Sequence, residues 1–190
     1  MTEFEFMFVL YALVLGLSVV ELLSGFGASL ERLFKSEADE TRFRIGWLTP
    51  LFAVFVLLDL MSFWVFAWVV RDFIAFGVPT LLGILAFAGS YYLAARLVFP
   101  SEPEDFRDLD THYFRVRRVV LGILIALVFV QWAYLSSIPE IWDRLSTPLS
   151  VAMTALLVAL MATAMWVRSV RWNAILLTLL IVRYLYVYLA

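Results

Sequence analysis

Asp59 and Arg183 are the residues of this chain best placed to do chemistry, because each interrupts a long apolar run near its middle. A charge at the bilayer centre costs about 3 kcal/mol on insertion scales. Such residues face a bundle interior or a water-filled cavity, and they mark ion paths, proton relays and binding sites. Each charge is the twelfth residue of its run, counted from positions 48 and 172. Both runs are expected to start on the same side of the membrane, so the two charges fall at one depth. The expectation is an Asp59–Arg183 pair across the bundle. Such a pair is either a structural ion pair that fixes helix register or a gate, proton site or substrate-binding charge.

Two further polar residues sit within apolar runs. Gln131 is near the centre of the fourth run and can hydrogen-bond between helices without titrating. Trp132 and Tyr134 beside it could enclose a ligand, although core packing is the ordinary reading. Glu21 lies toward one end of the first run, where a charge costs less. It can bind a cation, accept a proton or pair with Arg96 at similar depth. Beside Asp59 its side of the run carries Ser62 and otherwise Phe52, Phe55, Val56, Phe63 and Phe66, which is no polar stripe and argues against a wide aqueous pore formed by that helix alone.

The elements that must position these groups are six apolar stretches, 4–23, 48–70, 78–99, 119–138, 149–167 and 172–189. Each approaches the roughly 20 residues needed to cross a hydrocarbon core as an α-helix. None has the sustained alternation of a membrane β-strand. With 64% hydrophobic residues, 16% charged residues and a mean hydropathy of +0.95, the chain reads as an all-α, six-span membrane bundle. It forms a single integral membrane domain over 1–190, since no connection exceeds roughly 25 residues, below the usual domain size. The opening MTEFEF is acidic and lacks the positive region of a cleavable signal, so the first stretch is expected to stay as a permanent helix.

Basic residues set the expected orientation. Eleven of the fourteen Lys and Arg fall on the first, third and fifth connections, two on the others, and Arg183 lies within the last span. The positive-inside rule then places the basic connections in the cytoplasm and both termini outside. Trp47, Trp166 and Trp172 would lie at the inner interface, with Trp68, Trp142, Tyr184, Tyr186 and Tyr188 toward the outer one. Arg115, Arg117 and Arg118 are expected to touch anionic lipid headgroups, each contact being worth about 1 kcal/mol. The stretch 24–34 is expected to extend the first helix. Pro100 and Pro103 would stop the third span, and Pro79, Pro139 and Pro148 mark helix ends.

Small residues suggest helix seams: Gly83, Ala86, Ser90 and Ala94, with Gly89 alongside; Ala152, Ala155, Ala159, Ala162 and Thr163; and Ala12 with Gly16. Their partner is another helix of the bundle or a second copy of the chain. The two three-span halves share no alignable motif, although inverted repeats are common in transporters.

Several chemistries are excluded. The chain has no Cys, one His and one Lys, Lys35, which lies in a connection. That removes disulfides, thiolate chemistry, bis-histidine haem ligation and an intramembrane Schiff base. No phosphate-binding glycine loop, HExxH or TVGYG string is present. A net charge of -2 argues against nucleic acid. Asp108, Asp110 and His112 form a DxDxH string that could converge on a divalent ion, but a solvated loop is its ordinary reading. Glu104 and Asp105 add acids near it without forming a recognisable lipid-enzyme motif. No cofactor is implied and no catalytic group stands out. The expected partners are membrane lipids, with a second copy or another membrane protein as candidates.

Two functions remain. One is a channel or proton-coupled transporter using Asp59 and Arg183, favoured slightly because their costs would match as a pair. The other is a non-catalytic assembly, lipid-organising or sensing protein. The basic connections and lack of Cys are compatible with a bacterial inner membrane.

Overall fold

In lipid every backbone polar group must be satisfied internally, and helices do this within one segment. A computed structural model describes residues 3–38, 44–74, 77–101 and 108–189, and it is all-α. Six helices are long and apolar enough to cross a membrane: α1 (Glu3–Ala38), α2 (Leu48–Val69), α3 (Val78–Val98), α4 (Leu109–Ser136), α6 (Pro148–Trp166) and α7 (Val170–Leu189). A seven-residue helix, α5 (Pro139–Leu145), lies between α4 and α6. The six match the expected stretches, with three differences.

First, α1 runs unbroken for 36 residues, about 54 Å at 1.5 Å per residue, so it projects well past a core of about 30 Å. Second, α4 begins ten residues before its expected start, which makes the DxDxH string and the basic cluster parts of a helix. Third, α5 forms where a loop was expected. Pro139 starts it, and Ile138 and Ile141 pack with Val70 and Leu135. Position 103 and the acids Glu104 and Asp105 lie outside the described residues.

The centre of the bundle is α2 and α4. On one side they pack with α1 and α3, and on the other with α6 and α7. The main core gathers residues from all six long helices, including Leu15, Phe52, Phe63, Tyr91, Leu124, Met161 and Leu177. The outer surface is strongly apolar, as lipid requires: Val9, Leu13, Leu82, Val130 and Leu179 are all exposed.

The small-residue faces divide in this packing. Gly83, Ala86, Ala152, Ala155, Ala159 and Thr163 are exposed, and only Ala94 of the α3 set is buried. A methyl group added at Gly16, Gly83 or Gly89 would meet nothing within 4 Å. The inward face of α3 combines the small Ala88, Ala94 and Ala95 with Tyr91 and Val98, and that of α6 is Leu157, Met161 and Ala164. Close approach occurs at a glycine not singled out from sequence. A Cβ on Gly25 of α1 would run into the Phe99 ring just after α3.

The DxDxH string stitches connections together. Asp108 caps α4, accepting from the Asp110 N–H at 2.8 Å. Asp110 reaches across to accept from the Leu48 N–H at 2.9 Å and so caps α2. Thr49 Oγ1 donates to the Leu109 carbonyl at 2.8 Å, and the Leu109 N–H donates to the Arg44 carbonyl at 3.2 Å. Gly46 has φ +68° and faces the Asp110 carboxylate so closely that a Cβ would overlap it. His112 Nε2 lies 3.1 Å from the Leu97 carbonyl, tying α4 to the end of α3. These three side chains therefore hold backbone groups in place.

Asp110→Ala is expected to lower the thermal midpoint of the detergent-solubilised protein, with a loss of about 1–2 kcal/mol typical of a missing helix cap. Asp110→Asn, which keeps an acceptor oxygen, should recover most of it. An unchanged midpoint in Asp110→Ala would mean that the cross-connection cap contributes nothing.

Candidate functional site

The inward face of α2 carries Phe52, Phe55, Val56, Asp59, Leu60 and Phe63, all buried, at the spacing of one helical stripe. Asp59 is fully buried in this stripe. A buried carboxyl in hydrocarbon needs hydrogen-bond donors, and α7 supplies one. The Tyr184 hydroxyl donates to Asp59 Oδ1. Asp59 Oδ2 has no hydrogen-bond partner among the described residues.

Three more phenols converge on the same part of α2. Tyr91 of α3 donates to the Val56 carbonyl, one turn before Asp59, which places its hydroxyl beside the carboxyl group. Tyr188 of α7 donates to the Leu58 carbonyl at 2.6 Å, and Tyr11 of α1 to the Phe63 carbonyl at 2.9 Å. A helix carbonyl has a second lone pair available after its ladder bond, so these contacts leave the backbone of α2 intact. Ser62 Oγ returns to the Asp59 carbonyl at 2.7 Å. Tyrosines from α1, α3 and α7 thus girdle α2 over residues 56–63.

Arg183 takes a different position from the one expected. Its guanidinium lies over the Tyr184 ring, 4.6 Å from the centroid, and its Nε has no hydrogen-bond partner among the described residues. It acts on Asp59 through its field and makes no ion-pair contact with it. Depth matches, but angle does not. Adjacent helix residues differ by about 100°, so with Tyr184 aimed at Asp59 the neighbouring Arg183 is turned aside. Tyr184 was expected as an interfacial anchor and is instead buried, whereas Tyr186 is exposed.

Glu21 is half-buried at the α1–α3 contact. It accepts from the Tyr92 hydroxyl at 3.0 Å and pairs with Arg96 at 3.3 Å. Tyr92 and Arg96 are one turn apart on α3, so they clamp one carboxylate together.

Gln131 lines a cavity of about 450 Å³ at the end of the bundle that carries the N-terminus. Its walls come from the first turns of α1 and α3 and the last turns of α2 and α4. They include Met7, Phe8, Phe66, Val70, Ile84 and Phe87, with Thr80, Gln131 and Tyr134 among the few polar groups. Gly83 lines it too, and the open space beside that glycine belongs to this cavity.

The three arginines expected at headgroups divide. Arg115 and Arg118 are exposed, whereas Arg117 is buried. Arg117 follows Tyr113 by one turn on the inward face of α4. Its Nη1 donates to the Val167 carbonyl and to Asn173 Oδ1, the latter at 2.9 Å. Tyr113 donates to the same oxygen at 2.8 Å, while Asn173 Nδ2 donates to the carbonyls of Val167 and Ser169 at 2.8 Å each. This network satisfies the carbonyls freed where α6 breaks before α7. Asn173 was not anticipated from sequence; its amide near the start of an apolar run was the available signal.

No family model matches the chain, and no curated protein or solved structure does either.

Tyr184→Phe removes the donor to a buried carboxyl and should cost about 1.5–3 kcal/mol, the range for hydrogen bonds to charged groups. Tyr186→Phe, on the exposed side of the same helix, should leave stability unchanged. Thermal unfolding in detergent separates them, and equal midpoints would contradict the girdle.

Proposed function

We propose that this chain is a non-catalytic, lipid-organising membrane protein that holds a hydrocarbon chain between α1, α2, α3 and α4. The reading includes a bacterial inner membrane as its location, with both termini outside the cytoplasm, on the strength of the basic-residue asymmetry. One observation carries it: the cavity of about 450 Å³ with its apolar walls. That volume lies within the range of about 300–1,000 Å³ for small-molecule sites, which likewise combine apolar walls with a few orienting polar groups. In a bilayer the abundant molecule of matching chemistry is an acyl chain. Thr80, Gln131 and Tyr134 could orient its polar end. The cluster of Val70, Leu135, Ile138 and Ile141 adjoins the cavity through Phe66 and Ile74, so α5 braces one wall.

Transport is the second reading. It is favoured by Asp59 Oδ2 and Arg183 Nε, two buried polar atoms without hydrogen-bond partners among the described residues. It carries less weight because Asp59 is fully buried beside Tyr184 and Tyr91 and does not line the apolar cavity. A transport path through Asp59 would require the tyrosine girdle to open.

The lipid reading is tested with a phospholipid bearing a photoreactive group in its acyl chain, added to protein in nanodiscs. Crosslinks are expected within 79–87 and 66–74 and should be lost in Gly83→Phe, which fills the cavity from an uncrowded position. Crosslinks confined to outward residues such as Val9 and Leu13, with no effect of Gly83→Phe, would overturn it.

A further inference from the structure

We infer that a cleft at the opposite end of the bundle, between the start of α4 and the turn joining α6 to α7, is a binding site for a phosphate group. The cleft measures about 390 Å³ and is lined by Phe114, Arg115, Arg117, Arg118 and Arg168. The guanidinium groups of Arg117, Arg118 and Arg168 around one small space repel one another, and an anion between them would offset that repulsion. Among the described residues, Arg117, Arg118 and Arg168 have no carboxylate partner. The anion is therefore expected from outside the described chain.

The site is built as well as charged. Arg117 is held from behind by the Val167 carbonyl and Asn173, and its guanidinium lies 4.6 Å from the centroid of the Phe114 ring. Nη1 makes both bonds, and Nε is buried without a partner among the described residues. Arg118 is steadied by a 3.2 Å bond from Nε to the Met165 carbonyl and lies 5.7 Å from the centroid of the Trp166 ring. That leaves Nη2 of Arg117 and both terminal nitrogens of Arg118 without a hydrogen bond among the described residues. Planar guanidinium groups match phosphate oxygens in pairs, and several on one anion spread its charge. This geometry differs from three independent surface contacts, because Arg117 is buried and Arg168, from a different helix end, completes the ring.

Position narrows the source of the phosphate. The exposed Trp166 and Trp172 rings flank this end, as aromatic residues do at headgroup depth. A lipid phosphate would be at hand, and a free phosphate could enter from the aqueous side; both present the same oxygens to the same arginines.

Detergent-purified protein is titrated with dioctanoyl phosphatidic acid, dioctanoyl phosphatidylcholine and inorganic phosphate, with bound species read by native mass spectrometry. Phosphatidic acid should bind in preference to the zwitterionic lipid. Arg168→Gln and Arg118→Gln should each weaken it about fivefold, the equivalent of about 1 kcal/mol per basic residue. Lys35→Gln and Arg171→Gln, which change the charge of the same end outside the cleft, should have no effect. Arg168 makes no hydrogen bond among the described residues, so Arg168→Gln carries the test even if Arg118→Gln destabilises α4. Inorganic phosphate binding alone with the same arginine dependence assigns the site to free phosphate. Lipid binding that phosphate does not displace assigns it to a headgroup. Absence of binding by either, equal affinity for the choline lipid, or equal loss in Lys35→Gln would overturn the site.

Discussion

A carboxyl group inside hydrocarbon must be hydrogen-bonded, and the packing around α2 answers that requirement. Asp59 takes its donor from Tyr184, and the phenols of Tyr91, Tyr188 and Tyr11 bind the carbonyls on either side of it. Within lipid, apolar contact alone distinguishes poorly between neighbouring helices and solvent chains. Directed bonds do distinguish them. Four hydroxyls on one stretch of α2 specify the depth and rotation at which α1, α3 and α7 pack. The polar cluster thus acts as a register device in a bundle whose helices are otherwise apolar almost all round.

The two ends of the bundle diverge from this girdle. At the end bearing the N-terminus, the helices leave an apolar cavity. At the other end, Asp110 bonds the start of α2 while Arg117 and Asn173 knit α4 to the α6–α7 turn. The proposed acyl-chain and phosphate sites thus lie at opposite ends, separated by the tyrosine-bonded layer at Asp59. They are independent of each other, since they share no lining residue.

The spans were legible because hydrocarbon thickness sets a length that composition alone can reveal. Rotation about each helix axis was harder to read. Asp59 and Arg183 share a depth, but the residue beside Arg183 is the one that faces inward. The spacing of Tyr184 and Tyr188, one turn apart with Tyr186 between them, held that information. Arg117 is similar: Tyr113, Arg117, Val120, Leu121 and Leu124 follow one inward face of α4, which removes Arg117 from the surface. Small residues were partly informative: Ala94 packs inward beside Ala88 and Ala95, whereas Gly83, Ala86, Ala152, Ala155 and Ala159 face away from the bundle core, because a narrow face suits close packing but does not demand it. The DxDxH string was read as loop because its bonds reach residues some sixty positions away, beyond any local pattern.

The most direct test of the central claim, that Asp59 organises the bundle and does not line a conduction path, is pH-driven ion flux in proteoliposomes. Native protein and a folded Asp59→Asn variant are compared under several gradients and in both orientations. The account predicts no flux above empty vesicles for either protein, together with a lowered thermal midpoint for Asp59→Asn. Flux in the native protein that disappears in a stably folded Asp59→Asn variant would contradict it and establish a path through the girdle.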